Sequence, residues 1–269
     1  MTDWSLDRYC AEILAQTDQL CSLAEDGELT ARVPTCPGWN FGQLLRHVGG
    51  THRWADTVVR TRATEPVPDT LVNEVFHYDD KDPAALRDWL AEGARRLTDA
   101  LTEAGPDARV WTVVPDRPIT FWARRMLHET VVHRADAAWT VGVPYTLDAA
   151  VARDGFEEWL GFGQVPEAYA TEEGRKPLLG PGRGLRFEPS HGPAAGWFVD
   201  LTGDAPTWTR DGTHDGTHDD GGTAAVTVRG PLSDLLLLVY GRPVRDRLRV
   251  TGDSALLGLW LERTGFWIE

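Results

Sequence analysis

At EEGRKPLLGPGRG, residues 172–184, the hydrophobic pattern changes period, and that change limits the fold more than any single motif does. Before it, apolar residues recur at the three- and four-residue spacing of amphipathic helices. After it, short and partly alternating apolar runs stand between turn residues. A chain of 269 residues is long for one compact domain and comfortable for two. The expectation is a two-domain protein of the α plus α/β kind. A helical domain covers residues 1–165 and a small α+β domain covers 175–269.

The helical half can be read in detail. Leu6, Cys10, Ile13, Leu14, Thr17 and Cys21 form one stripe over residues 5–24. After the turn-rich VPTCPGWNFGQ, Asn40 with Gln43 three residues later reads as the N-cap and capping box of a second helix, FGQLLRHVGGTHRWADTVVRTR. Gly49 and Gly50 inside it predict a neighbour packed closely. Asp82 and Pro83 open a third helix, with Leu86, Leu90, Leu97 and Leu101 facing one way. A fourth runs from about Thr120 to Thr140 and is stopped by Gly142 and Pro144. Asp148 caps a shorter fifth through Trp159. Long amphipathic helices with connecting loops imply a four-helix bundle. Beyond the break, GLRFEPS, GWFVDLTG, APTWTR and AAVTVRG read as strands, and PLSDLLLLVYG and SALLGLWLERTG as helices.

Charge and composition remove several classes of function. A formal net charge of −14 repels phosphate backbones, so nucleic acid is not an expected partner. The greasiest run, LLLLVYG at 235–241, is far too short to span a bilayer, so no membrane partner is expected. MTDWSLDRYC lacks a basic region followed by an apolar one, so no secretory signal is expected. Cys10, Cys21 and Cys36, sparse and without a CxxC pair, fit a reducing, cytoplasmic location. The 12 tryptophans supply large aromatic walls for cores or pockets.

HETVVHRADA, residues 128–137, is where the chain first looks chemical. It resembles the HExxH zinc signature with one residue too many between its histidines. At about 100° per residue, His128 and His133 diverge by about 140° and cannot face one ion from a straight helix. Glu129 and His133, four apart, sit about 40° from alignment on one face. Two ligands do not hold a catalytic zinc; three are usual, with a position left open. His47, on the second helix among Leu44, Leu45 and Val48, is the best third candidate, because bundle cores build metal sites from facing helices. His52, five residues further on, points elsewhere and is expected at the surface or an edge. The same spacings also describe a satisfied, buried polar helix face, and geometry alone leaves the two readings undecided.

PTCPGWNFGQLLRHVGG followed by FWARRMLHETVVHRADA resembles the mycothiol-dependent maleylpyruvate isomerase family, within the DinB-like metalloenzyme superfamily. GLRF, GWFVDLTGDAP, VRGPLSDLLLLVYGR and VTGDSALLGLWLERT resemble that family's C-terminal domain, which has a sterol-carrier-like fold. The resemblance implies that His47, Glu129 and His133 form a divalent metal triad, generally holding zinc. It implies an acidic position at Asp136 that orients a ligand or handles a proton, and an arginine, Arg242, that reaches toward the active site and clamps a substrate carboxylate. For both, a surface ion pair is the competing reading. The implied co-substrate is mycothiol, a low-molecular-weight thiol, acting on a maleylpyruvate-like unsaturated acid by reversible thiolate addition. Two alternatives stay open: a thiol S-transferase that conjugates mycothiol to an electrophile, and a non-catalytic small-molecule-binding protein. A set of two histidines and one carboxylate also suits iron, nickel or manganese.

Two other clusters compete. His214 and His218, with Asp215 and Asp219 in the polar repeat RDGTHDGTHDDGGT, lack a scaffold to fix ligand geometry and read as a solvated loop. Cys36 precedes the second helix, where a thiol can be activated, yet no base is identifiable beside it in the sequence. It reads as a packed turn residue.

Overall fold

The computed structural model describes residues 4–73, 75, 81–171, 176–191, 196–211 and 223–265. Two compact units make up the chain, Asp3–Tyr145 and Thr146–Glu269. The first contains α1 (Leu6–Asp26), α2 (Phe41–Arg60), α3 (Thr70–Asn73), α4 (Pro83–Ala104) and α5 (Thr120–Thr140).

Local chemistry sets the ends of these helices. Ser5 accepts from the Arg8 backbone N–H at the start of α1. Asn40 and Gln43 form the complete capping box of α2, each side chain accepting from the other's backbone N–H at 2.9 Å. Asp82 caps α4 ahead of its first-turn proline by accepting from Ala84 and Ala85. Both α1 and α2 pack against α4 and α5. Leu20, Phe41, Leu44, Leu45, Val48, Leu86 and Leu90 fill the space between them. The close approach expected at Gly49 is real: a Cβ there would overlap the ring of Trp89 on α4. That ring is itself in contact with the Arg46 and Arg53 guanidiniums, 4.3 and 3.8 Å from its centre.

Helix α5 departs from the amphipathic pattern, being buried almost all round from Trp122 to Ala138. With α1 on one side and α2 on another, it has little solvent face. Several of its polar side chains are paired internally. Arg134 Nε donates to Gln16 Oε1 at 2.8 Å, and its guanidinium lies 4.5 Å from the Tyr145 ring centre.

The second unit contains α6 (Ala149–Phe162), α7 (Pro166–Tyr169), β1 (Gly184–Pro189), β2 (Trp197–Asp200), β3 (Thr207–Arg210), β4 (Val226–Gly230), α8 (Leu232–Val239), β5 (Arg249–Gly252) and α9 (Ser254–Thr264). The strand order is β3-β2-β1-β4-β5, parallel between β1 and β4 and antiparallel elsewhere. The architecture is α+β. Where the sequence division assigned residues up to 165 to the helical domain, α6 lies in the second unit. Its Phe156 packs 5.1 Å from Phe187 and 4.7 Å from Trp197, ring centre to ring centre, and it runs against α8. β5 carries too short an apolar alternation to be read from sequence. The 212–222 segment, with His214, Asp215, His218 and Asp219, lies outside the described residues. Among the described residues, no helix is long and apolar enough to cross a membrane.

Candidate metal centre

His47 lies half-buried on α2, at the edge of the stripe formed by Leu44, Leu45 and Val48. Glu129 and His133 lie one turn apart on α5. Packing of the two helices brings the three side chains together, with one ligand atom of each within 4.8 Å of the others. The His47 and His133 rings stand edge to face at 4.9 Å between centres. His133 Nε2 is 3.5 Å from Glu129 Oε2. Two ligand atoms about 2 Å from one tetrahedral ion stand roughly 3.4 Å apart, so this pair already has the required bite.

Hydrogen bonds on the far side of each group decide which atoms face inward. His47 Nδ1 is 3.0 Å from the Val72 carbonyl, which only accepts, so Nδ1 carries the proton and Nε2 presents a lone pair. His133 Nδ1 donates to Asp136 Oδ2 at 2.9 Å, which leaves Nε2 as the inward atom. Arg125 Nη2 donates to Glu129 Oε1 at 3.1 Å and leaves Oε2 toward His133. A carboxylate partner behind a histidine is the usual outer support of a metal ligand. Two imidazole lone pairs and a carboxylate pointing at one another suit a small cation, so the donor set fits a divalent ion.

Burial pulls the His133 pKa down, but its hydrogen bonds with Asp136, which accepts, and with Cys36, together with the charges of Asp136 and Glu129, outweigh it and push it up to about 9. The pocket favours positive charge at this atom. One wall is the Trp39 ring, 4.8 Å from the His47 ring and 6.2 Å from that of His133, centre to centre.

Asp136 is completely buried. Besides His133 Nδ1 it accepts from Thr35 Oγ1 at 2.5 Å and from the Cys36 thiol at 3.6 Å. Cys36, His133 and Asp136 make a second set with metal-ligating atoms. Its members are already one another's donors and acceptors, whereas the first set brings acceptors face to face. The absence of a base beside Cys36 is thus corrected: the fold supplies Asp136 and His133, about a hundred residues away.

The remaining sequence candidates fall elsewhere. His128 is fully buried and outside both clusters, in keeping with its divergence from His133. His52 is not at a surface or edge. It is fully buried, with Nε2 2.9 Å from Thr130 Oγ1. That hydroxyl donates to the Met126 carbonyl at 2.8 Å, so His52 Nε2 is the donor in the pair. Arg242 belongs to the second unit, where its Nη1 donates to the Tyr240 carbonyl at 2.8 Å. Sequence reasoning missed Thr35, Arg125 and the Val72 carbonyl as supports of the cluster. Only the i,i+4 spacing of Arg125 and Glu129 was a readable signal.

Residues 10–138 match the family of the mycothiol maleylpyruvate isomerase N-terminal domain. The match falls within the N-terminal unit and covers most of it. A comparison with curated protein sequences finds no match. Two solved structures are similar along nearly the whole chain. One is a crystal structure of the mycothiol-dependent maleylpyruvate isomerase, with a TM-score of 0.61 and 15% identity. The other is a crystal structure of a single-residue mutant of the mycothiol-dependent maleylpyruvate isomerase, with a TM-score of 0.61 and 16% identity. In each case the alignment covers 93% of this chain and 94% of the other. At such identity the likeness is one of fold.

Proposed function

We propose that the protein is a divalent-metal enzyme that uses a low-molecular-weight thiol, mycothiol, to isomerise a maleylpyruvate-like unsaturated acid from cis to trans. In this reading the N-terminal unit is a DinB-like four-helix bundle that holds the ion, and the C-terminal unit is a sterol-carrier-like domain. The observation that carries the proposal is the convergence of His47, Glu129 and His133, with ligand atoms within 4.8 Å of one another, inside the family-matched unit. These three residues would hold zinc or a related divalent ion. Such an ion, when bound, lowers the pKa of a thiol and keeps it as thiolate at neutral pH.

The protein's own groups supply the rest. Asp136 fixes the His133 ring through Nδ1, and Arg125 orients Glu129 while offsetting its charge. Trp39 shields one side of the cluster from water. Arg242 is assigned, through the family resemblance, to the substrate carboxylate. The thiolate sulfur forms a C–S bond to one alkene carbon, and the π electrons move onto the conjugated carbonyl. Rotation about the new single bond follows. The electrons then return, the C–S bond breaks and the thiolate leaves, so thiol is regenerated and no atom is gained or lost.

Incubation of the zinc-loaded protein with mycothiol and maleylpyruvate tests this. The expected product is the trans isomer, equal in mass to the substrate, formed only when thiol is present and without thiol consumption. An S-conjugate carrying the summed mass would identify a transferase instead. Absence of turnover in the loaded protein would overturn the reading in favour of a binding protein.

A further inference from the structure

The segment between α1 and α2 reaches both halves of the candidate metal centre. Val33 N–H donates to the Trp39 carbonyl, and Trp39 N–H to the Cys36 carbonyl, both at 3.1 Å, which folds residues 33–39 into a tight loop. From that loop Trp39 lies against His47, while Thr35 and Cys36 reach Asp136 on α5. The carboxylate is therefore divided. Oδ1 accepts from Thr35 at 2.5 Å, and Oδ2 accepts from His133 at 2.9 Å and from Cys36 at 3.6 Å. An O–H to carboxylate bond of this length is charge-assisted and strong, whereas a thiol is a weak donor. With Asp136 fully buried, water cannot easily replace a lost donor.

We propose that Thr35 is a positioning residue of the centre: its hydroxyl fixes the Asp136 carboxylate, which fixes His133 Nδ1–H and so aims Nε2 at Glu129 and His47. The inference rests on the metal-site reading for its purpose, though the hydrogen-bond chain is independent of any ion. Thr35 is not one of the three candidate ligands; its hydroxyl bonds to Asp136 and acts through it.

Thr35→Val removes the hydroxyl and keeps the shape, and Thr35→Ser keeps the hydroxyl. Zinc affinity, measured by competition with a chromogenic chelator at fixed pH, is expected to fall about 10- to 100-fold in Thr35→Val and to stay within about threefold of wild type in Thr35→Ser. A second readout uses the metal-free protein: the low-field NMR signal of the His133 Nδ1 proton, bonded to Asp136. That signal is expected in wild type and Thr35→Ser and is lost from Thr35→Val, with thermal unfolding confirming that both variants are folded. Retention of the signal in Thr35→Val overturns the proposal whatever the zinc affinity. Failure of Thr35→Ser to restore the signal overturns it equally. If wild type takes up no zinc, the metal reading falls and the proton signal alone decides the role of Thr35.

Discussion

Lone pairs that face one another repel unless something positive sits among them. His47 Nε2, His133 Nε2 and the Glu129 carboxylate are held facing one another by groups behind them, and the His133 pKa, raised to about 9, means that a proton on Nε2 supplies the positive charge when no ion does. His52 behaves in the opposite way. Burial, helped by the neighbouring Arg53 charge, pulls it down to about 3 against the opposing pull of Glu129. The folded protein therefore keeps His52 neutral while the unfolded chain takes up a proton below its ordinary value of 6.5. Stability from this group is present above pH 6.5 and is lost as pH falls toward 3. His52→Leu removes the titration and leaves Thr130 still donating to Met126. Its melting temperature is expected to fall less steeply than wild type between pH 6.5 and 4, by calorimetry at each pH; parallel profiles would contradict the assignment. At this scale the sequence revealed Glu129 with His133, because helical spacing is periodic. It concealed the burial of His52 and the link between Thr35 and Asp136. No period connects residues 101 apart, and a hydrogen bond leaves no mark on either segment alone.

At the scale of elements, the centre depends on how closely α2 approaches its neighbours. Gly49 sets that approach against α4, since a methyl group there would enter the Trp89 ring. Alanine improves helix propensity over glycine by about 1 kcal/mol, and overpacking costs about 1–3 kcal/mol. With Trp89 held by contacts to two guanidiniums, overpacking is expected to win. Gly49→Ala should lower the urea midpoint; a midpoint equal to or above wild type would show that Trp89 yields freely. The cap signals at Asn40, Asp82 and Asp148 were legible because capping is local chemistry between residues two or three apart. Strand β5 was not, because Arg249–Gly252 is short and its pairing with β4 is what orders it. The membership of α6 was hidden for a related reason: Asp148 shows where the helix starts, while Phe187 and Trp197 decide where it packs.

At the scale of the whole molecule, the change of hydrophobic period near residue 172 separates helical from strand-bearing sequence, and the two units carry the α+β architecture. The family match lies within the unit that contains the candidate ligands. The likeness to the isomerase structures spans 93% of the chain at 15–16% identity, so the fold is shared while the reaction rests on the site. The most direct test of that site is metal content. Wild type, His47→Ala and Glu129→Gln are equilibrated with zinc, passed through a desalting column and assayed by elemental analysis against protein concentration. The account predicts about one ion per chain in wild type and a severalfold loss in each variant, since three protein ligands are the usual minimum for such a site. Near-zero metal in wild type, or equal metal in all three proteins, would contradict it.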